Sequence, residues 1–318
     1  PSLLTGIVGV RVWLAYIPMA AIGYRYVRQT SDYESALKLT ALLGLVPAAL
    51  AIAEWALATR TGSFGPFESL YGAVDRGSYR FVVFSMPMGA EHVLIPRVPA
   101  TFTSVSQYYS FAMMAFAAGL AMALRRGGDW WWCAAALACG ALVSGARVAY
   151  IAVPALSLLA FVLTGPSRRQ VALVAAGAAG AVAVAMVAAG PLPFAEAMAG
   201  HAQGTMSHAW QEMRGSLRLI GHGTGWDTNA ALRYGGVHER RFVENWYAKA
   251  ALELGIPGLV LIVAAFAAIA VSLSRRLRLA RADVRRLAAP IVALLLLTMV
   301  SLFKGPYIDL DPLNVYFW

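Results

Sequence analysis

The sequence predicts an all-α fold, a polytopic bundle of transmembrane helices. Three observations predict it. Hydrophobic residues make up 59% of the 318 positions, and mean hydropathy is +0.63. Charged residues make up only 13%, about half the share of a soluble domain. Apolar runs of roughly 20 residues, enough to cross about 30 Å of hydrocarbon, recur along the chain. This composition excludes a large soluble globular core.

By that length rule, spans fall near 6–24, 37–58, 106–124, 130–146, 148–165, 171–190, 255–273 and 287–303, about eight in all. The run 130–165 is too long for one helix. Ser144 and Gly145 interrupt it and Arg147 sits in its middle, so it reads as two short helices that turn back there. Alternation then sorts the loops. Loops 25–36, 125–129, 166–170 and 274–286, with the first residues of the spans that follow, hold half of the 26 Lys and Arg residues. The positive-inside rule makes these the cytoplasmic side. Two long loops, 59–105 and 191–254, then face outward, and Arg97, Arg147 and Glu244 lie on that side. The chain begins at Pro1 and ends in the apolar run VYFW, and it reads as one membrane domain, a piece of a longer protein.

Composition also bears on partners. The net charge of +10 comes from residues flanking spans, not from one basic stripe, which argues against nucleic acid. Cys133 and Cys139 both lie in apolar sequence, which argues against a disulfide framework or a cysteine metal site. The 5 histidines show neither HxxxH nor HExxH spacing, so no metal and no cofactor are expected. The glycine-rich patch 221–225 lacks the Gly-Lys-Ser/Thr of a Walker loop. The many Ala and Gly residues of the spans fit close helix approach; compositional bias explains them equally well.

Chemistry concentrates in residues 221–260, where a charged, glycine-rich segment opens straight into an apolar span. An ionisable group at such a boundary is where a membrane protein does chemistry. Glu244 and Asn245 precede Gly255-Ile256-Pro257-Gly258 with nine residues between. A carboxylate placed there can take a proton from a sugar hydroxyl. The alternative is that Glu244 caps a helix start, with Asn245 beside it. Arg147, in LVSGARVAY, is costly at the tip of an apolar hairpin unless it faces a cavity or a partner. Its planar fork suits phosphate, and snorkelling at the interface is the other reading. Arg97 lies before the polar start of a span in IPRVPATFTSVSQYYSF. Arg214 and Arg218 would share one helical face if that stretch is helical. Arg241 and His222 complete the set of candidate ligand-binding residues.

These stretches, in this order, resemble the O-antigen ligase and O-antigen polymerase superfamily of bacterial envelope glycosyltransferases. The resemblance is carried by RVPATFTS, VSGARVAY, GHGTG, ENWYAKAALELGIPGL and GPYIDLDPLNVYFW, and it covers essentially the whole chain. It implies a GT-C-like bundle in the bacterial inner membrane with its active site facing the periplasm. It also implies inverting, metal-independent transfer of a glycan from undecaprenyl diphosphate to an acceptor glycan or lipid, alongside polysaccharide-assembly proteins. The family's His before x9-G-x-x-G is Glu244 here, and its Ser-Arg turn is Ala146-Arg147. The changed residue favours a polymerase of O-antigen, capsule or exopolysaccharide. A ligase to lipid A core and a protein O-oligosaccharyltransferase are alternatives, and a polytopic transporter is a more remote one. In this reading Glu244 is the general base and Arg147 and Arg214 hold the diphosphate, with Arg218 the second choice. Arg97, Arg241, His222 and Asn245 contact substrate.

Overall fold

A computed structural model describes residues 3, 6, 7, 9, 10, 17–64, 67, 80–86, 89–102, 104–165, 191–226 and 243–303. The expected span at 171–190, Arg241 and the stretch 304–318 lie outside these residues. The described elements are α1 (Ile17–Tyr26), α2 (Thr30–Thr61), β1 (Arg80–Met86), β2 (Gly89–Arg97), α3 (Val105–Arg126), α4 (Trp130–Val143), α5 (Ala149–Thr164), α6 (Pro191–Ser216), α7 (Trp246–Leu279) and α8 (Ala282–Ser301). The protein is mostly helical. Helices α2, α3, α7 and α8 are long and apolar enough to cross a membrane, as a multi-pass protein requires, and α4 and α5 are shorter apolar helices.

Two features depart from the all-α expectation, in which both long outer segments are loops. The first holds an antiparallel hairpin, with Arg80 opposite Arg97 and a register shift between Phe84 and Met86. The second begins with α6, a 26-residue helix. The expected turn at 144–147 is present, since α4 ends at Val143 and α5 begins at Ala149.

The chain forms two compact units. One comprises 29–201 and 276–297; the other comprises 1–28, 202–275 and 298–318. In the first, small residues bring α2, α3 and α4 together. A methyl added at Gly44 would overlap Ala115, one at Gly140 would overlap Ala48, and one at Gly119 would sit 2.8 Å from Leu137. Without a hydrophobic driving force between helices in lipid, close approach of this kind supplies the packing energy. The Ala and Gly content therefore has a packing role in these helices. Tyr108, fully buried on α3, donates its hydroxyl to the Gly140 carbonyl at 2.8 Å.

In the second unit α7 is two helices end to end. Gly255 interrupts it with φ 73° and ψ 179°, a conformation open essentially only to glycine. Beyond the break Val260, Leu261, Val263 and Val271 are exposed, as a lipid-facing helix requires.

Candidate functional site

In the first unit the turn between α4 and α5 carries Arg147. Ser144 is buried; its hydroxyl donates to the Ala141 carbonyl at 2.6 Å and accepts the Ala146 N–H at 3.2 Å. Gly145 follows with φ 72°. A side chain there would overlap Pro96 and press on Arg97. The Val98 N–H donates to the Ser144 carbonyl at 3.2 Å. The turn is thus fastened to the end of β2, so that Arg97 lies against Gly145, two residues from Arg147. Two arginines that stand far apart in sequence come to one end of one unit. Arg147 is partly buried, and burial pushes its guanidinium below the ordinary arginine value. It remains a cation at neutral pH.

Sequence reasoning missed a third group at this end. Glu54 of α2 is fully buried, and its Oε2 accepts the Ala100 N–H at 3.2 Å. Ala100 has φ 50°, a strained conformation for a residue with a side chain. The signal was present: Glu54 is a carboxylate inside the expected span 37–58, and such a residue is a functional candidate by default.

In the second unit Glu244 and Asn245 form the threshold of α7. The Glu212 carboxylate on α6 accepts both backbone N–H groups, from Glu244 at 3.2 Å and from Asn245 at 3.0 Å. An anion at a helix N-terminus is favourable, because the first N–H groups have no partner within the helix. Asn245 is fully buried; its Nδ2 donates to the Ala209 carbonyl at 3.0 Å and its Oδ1 accepts the Ala248 N–H at 3.1 Å. It caps α7 and ties it to α6, a structural role. Glu244 is half-buried directly before this cap. His208 lies one turn before Glu212, with Nδ1 3.8 Å from Oε1, too long for a hydrogen bond.

The two glycine motifs are packing partners. The carbonyls of Leu252 and Glu253, left without helical partners by the break, accept the N–H groups of His222 at 2.9 Å and Gly223 at 3.0 Å. The Ile256 N–H, which opens the second half of α7, donates to the Arg218 carbonyl at 2.8 Å. A methyl on Gly221 would overlap Glu253, and one on Gly255 would come within 2.8 Å of Gly221 and Leu219. Glu253 is buried and its Oε2 accepts the Gly225 N–H at 3.0 Å. The N–H groups of His222 and Gly223 thereby cap the first half of α7, and that of Gly225 is held by the Glu253 carboxylate. Lys249, one turn before Glu253, is also buried. The sequence reading had singled out neither residue.

The remaining candidates are exposed. Arg214 lies in the last turn of α6 with its guanidinium 5.1 Å from the centre of the Trp210 ring, a cation–π distance. Helix α6 stops at Ser216, so Arg218 lies beyond it and shares no helical face with Arg214. The His222 ring stacks on Trp226 at 4.7 Å. Cys133 and Cys139 are both free thiols. The structure thus places Arg97 and Arg147 in one unit and Arg214, Arg218, His222, Glu244 and Asn245 in the other.

No protein-family model matches the chain, and no curated protein matches it significantly.

Proposed function

We propose that this chain is an inverting, metal-independent membrane glycosyltransferase that polymerises undecaprenyl-diphosphate-linked glycans. It would act at the periplasmic face of the bacterial inner membrane, as part of a GT-C-like bundle to which this chain contributes about eight spans. One observation carries the reading most. Glu244 stands at the start of α7, whose entrance is fixed by Glu212 and Asn245 and whose first half ends at a break capped by the GHGTG patch. A base is effective when its position is predetermined, and a backbone held at the helix entrance supports that role for Glu244.

In the proposed reaction the acceptor hydroxyl oxygen attacks the anomeric carbon of the donor sugar. The carbon–oxygen bond to the diphosphate breaks, and its electron pair leaves on the diphosphate. The hydroxyl proton passes to the Glu244 carboxylate. A single displacement of this kind inverts the anomeric centre. By the family resemblance alone, Arg147 and Arg214 are each assigned to the diphosphate, where cations stabilise the charge that develops as the bond breaks. Arg97 and Arg218 are further phosphate contacts, and the exposed His222 ring, stacked on Trp226, offers an apolar face and a polar edge to a sugar.

The test is transfer by the purified chain in nanodiscs from an undecaprenyl-diphosphate oligosaccharide, with chelator present. A ladder of lengthened glycans on the carrier supports a polymerase. Product found only on added lipid A core would transfer the reading to a ligase. Uptake of the glycan into proteoliposomes without bond cleavage would sink it in favour of a transporter.

A further inference from the structure

The first unit has a second built end. Helix α3 runs from the Arg97 side to Arg126, α4 starts at Trp130 and α5 finishes at Thr164. These three ends therefore lie at the side of the unit away from Arg147. They enclose a cavity lined by Arg125, Arg126, Trp131, Phe161, Thr164 and Arg286. The rings of Trp131 and Phe161 stack at 6.2 Å and form an apolar wall.

The charges around it are unequal. Glu34 pairs with Arg125 and Arg126, and Asp283 pairs with Arg125 at 3.7 Å and with Arg281 at 3.5 Å. Asp129, at the start of α4, is exposed. Against these three carboxylates stand five arginines. Arg286, exposed at the cavity rim, makes no ion pair among the described residues. The Nε of Arg285 is buried without a hydrogen-bond partner, and its Nη2 would lie 3.9 Å from a methyl on Gly165, which also lines the cavity. A buried guanidinium donor left unmatched costs free energy that an anion would recover.

We infer that this cavity binds the phosphate headgroup of an anionic phospholipid from the leaflet that the basic loops face. Guanidinium forks suit a phosphodiester, and basic pockets between membrane helices hold anionic headgroups. The surroundings favour a lipid over free phosphate. Leu158 and Val162, one turn apart on α5, are exposed and lead away from the cavity as an apolar ridge for acyl chains. Trp132, next in the chain to the cavity-lining Trp131, is 79% exposed, the placement of an aromatic residue at a membrane interface.

The test purifies the full chain in detergent and measures retained phosphatidylglycerol, cardiolipin and phosphatidylcholine by native mass spectrometry. Anionic lipid should be retained in preference to phosphatidylcholine. In the double variant Arg285→Gln/Arg286→Gln its retention should fall roughly 5-fold for each arginine removed, with phosphatidylcholine unchanged. If the double variant melts early, Arg286→Gln alone is measured, since that side chain is exposed. Equal retention of anionic and zwitterionic lipid overturns the proposal. So does undiminished retention of anionic lipid in a variant that melts like the parent. Stabilisation by inorganic phosphate equal to that by phosphatidylglycerol would assign the cavity to free phosphate and overturn the lipid assignment.

Discussion

The surroundings of Arg147 and of Glu244 are built on opposite plans. At Arg147 a short turn is pinned to a strand end, and the pinned backbone brings a second arginine, Arg97, against the same turn. Two arginines come together there, and the scaffold is minimal. At Glu244 the scaffold is extensive. Glu212, Asn245, Gly221, Gly223 and Gly255 fix the two ends of the first half of α7, and one carboxylate stands at its entrance. The difference teaches that a glycine-rich, polar patch in a membrane protein can serve to pack and cap a helix. Here the N–H groups of His222 and Gly223 satisfy carbonyls of a broken helix.

The comparison predicts where substitutions act. Arg147→Lys keeps the charge and loses the fork, so kcat/KM for glycan transfer should fall on the order of 10²–10³ with little change in melting temperature. Near-normal polymerisation by Arg147→Ala at equal protein level would reduce that residue to an interfacial anchor. Gly255→Ala should act on stability instead. Its backbone lies in a region that alanine enters at a cost of about 1–3 kcal/mol, and the added methyl meets Gly221 and Leu219. Thermal unfolding in detergent would measure this, and a variant that melts like the parent would contradict the capping role of the patch. Asn245→Ala should be milder, about 1–2 kcal/mol for a lost cap, with the rate per folded molecule largely kept. A large loss of rate at unchanged stability would restore Asn245 as a substrate ligand.

Much of the architecture was legible because an apolar run long enough to span needs no knowledge of its partners. Helices α2, α3 and α7 each contain an expected span, α8 covers most of the one expected at 287–303 and ends at Ser301, and the Ser144-Gly145 interruption marked the turn. What escaped has a physical reason. Helix α6 turns one face inward, through Thr205, Ala209, Glu212, Met213 and Ser216, and a one-sided face does not register as an apolar run. Without that helix Glu212 had no neighbour to read. Arg214 and Arg218 have helical spacing, but the helix ends between them. The glycines at 221–225 and 255 were visible as composition, while their mutual contact is a tertiary fact that spacing does not contain.

The central claim is that Glu244 accepts the proton. Glu244→Gln keeps the shape of the side chain and leaves the backbone N–H that Glu212 holds. It removes only the acceptor. The deciding measurement is the rate of transfer per folded molecule from an undecaprenyl-diphosphate glycan, taken beside the melting temperature and the affinity for the carrier. The account predicts that transfer is abolished while melting and carrier affinity stay at the parent values. Full transfer by Glu244→Gln, with or without a small loss of stability, would contradict it and leave Glu244 as part of the helix entrance alone.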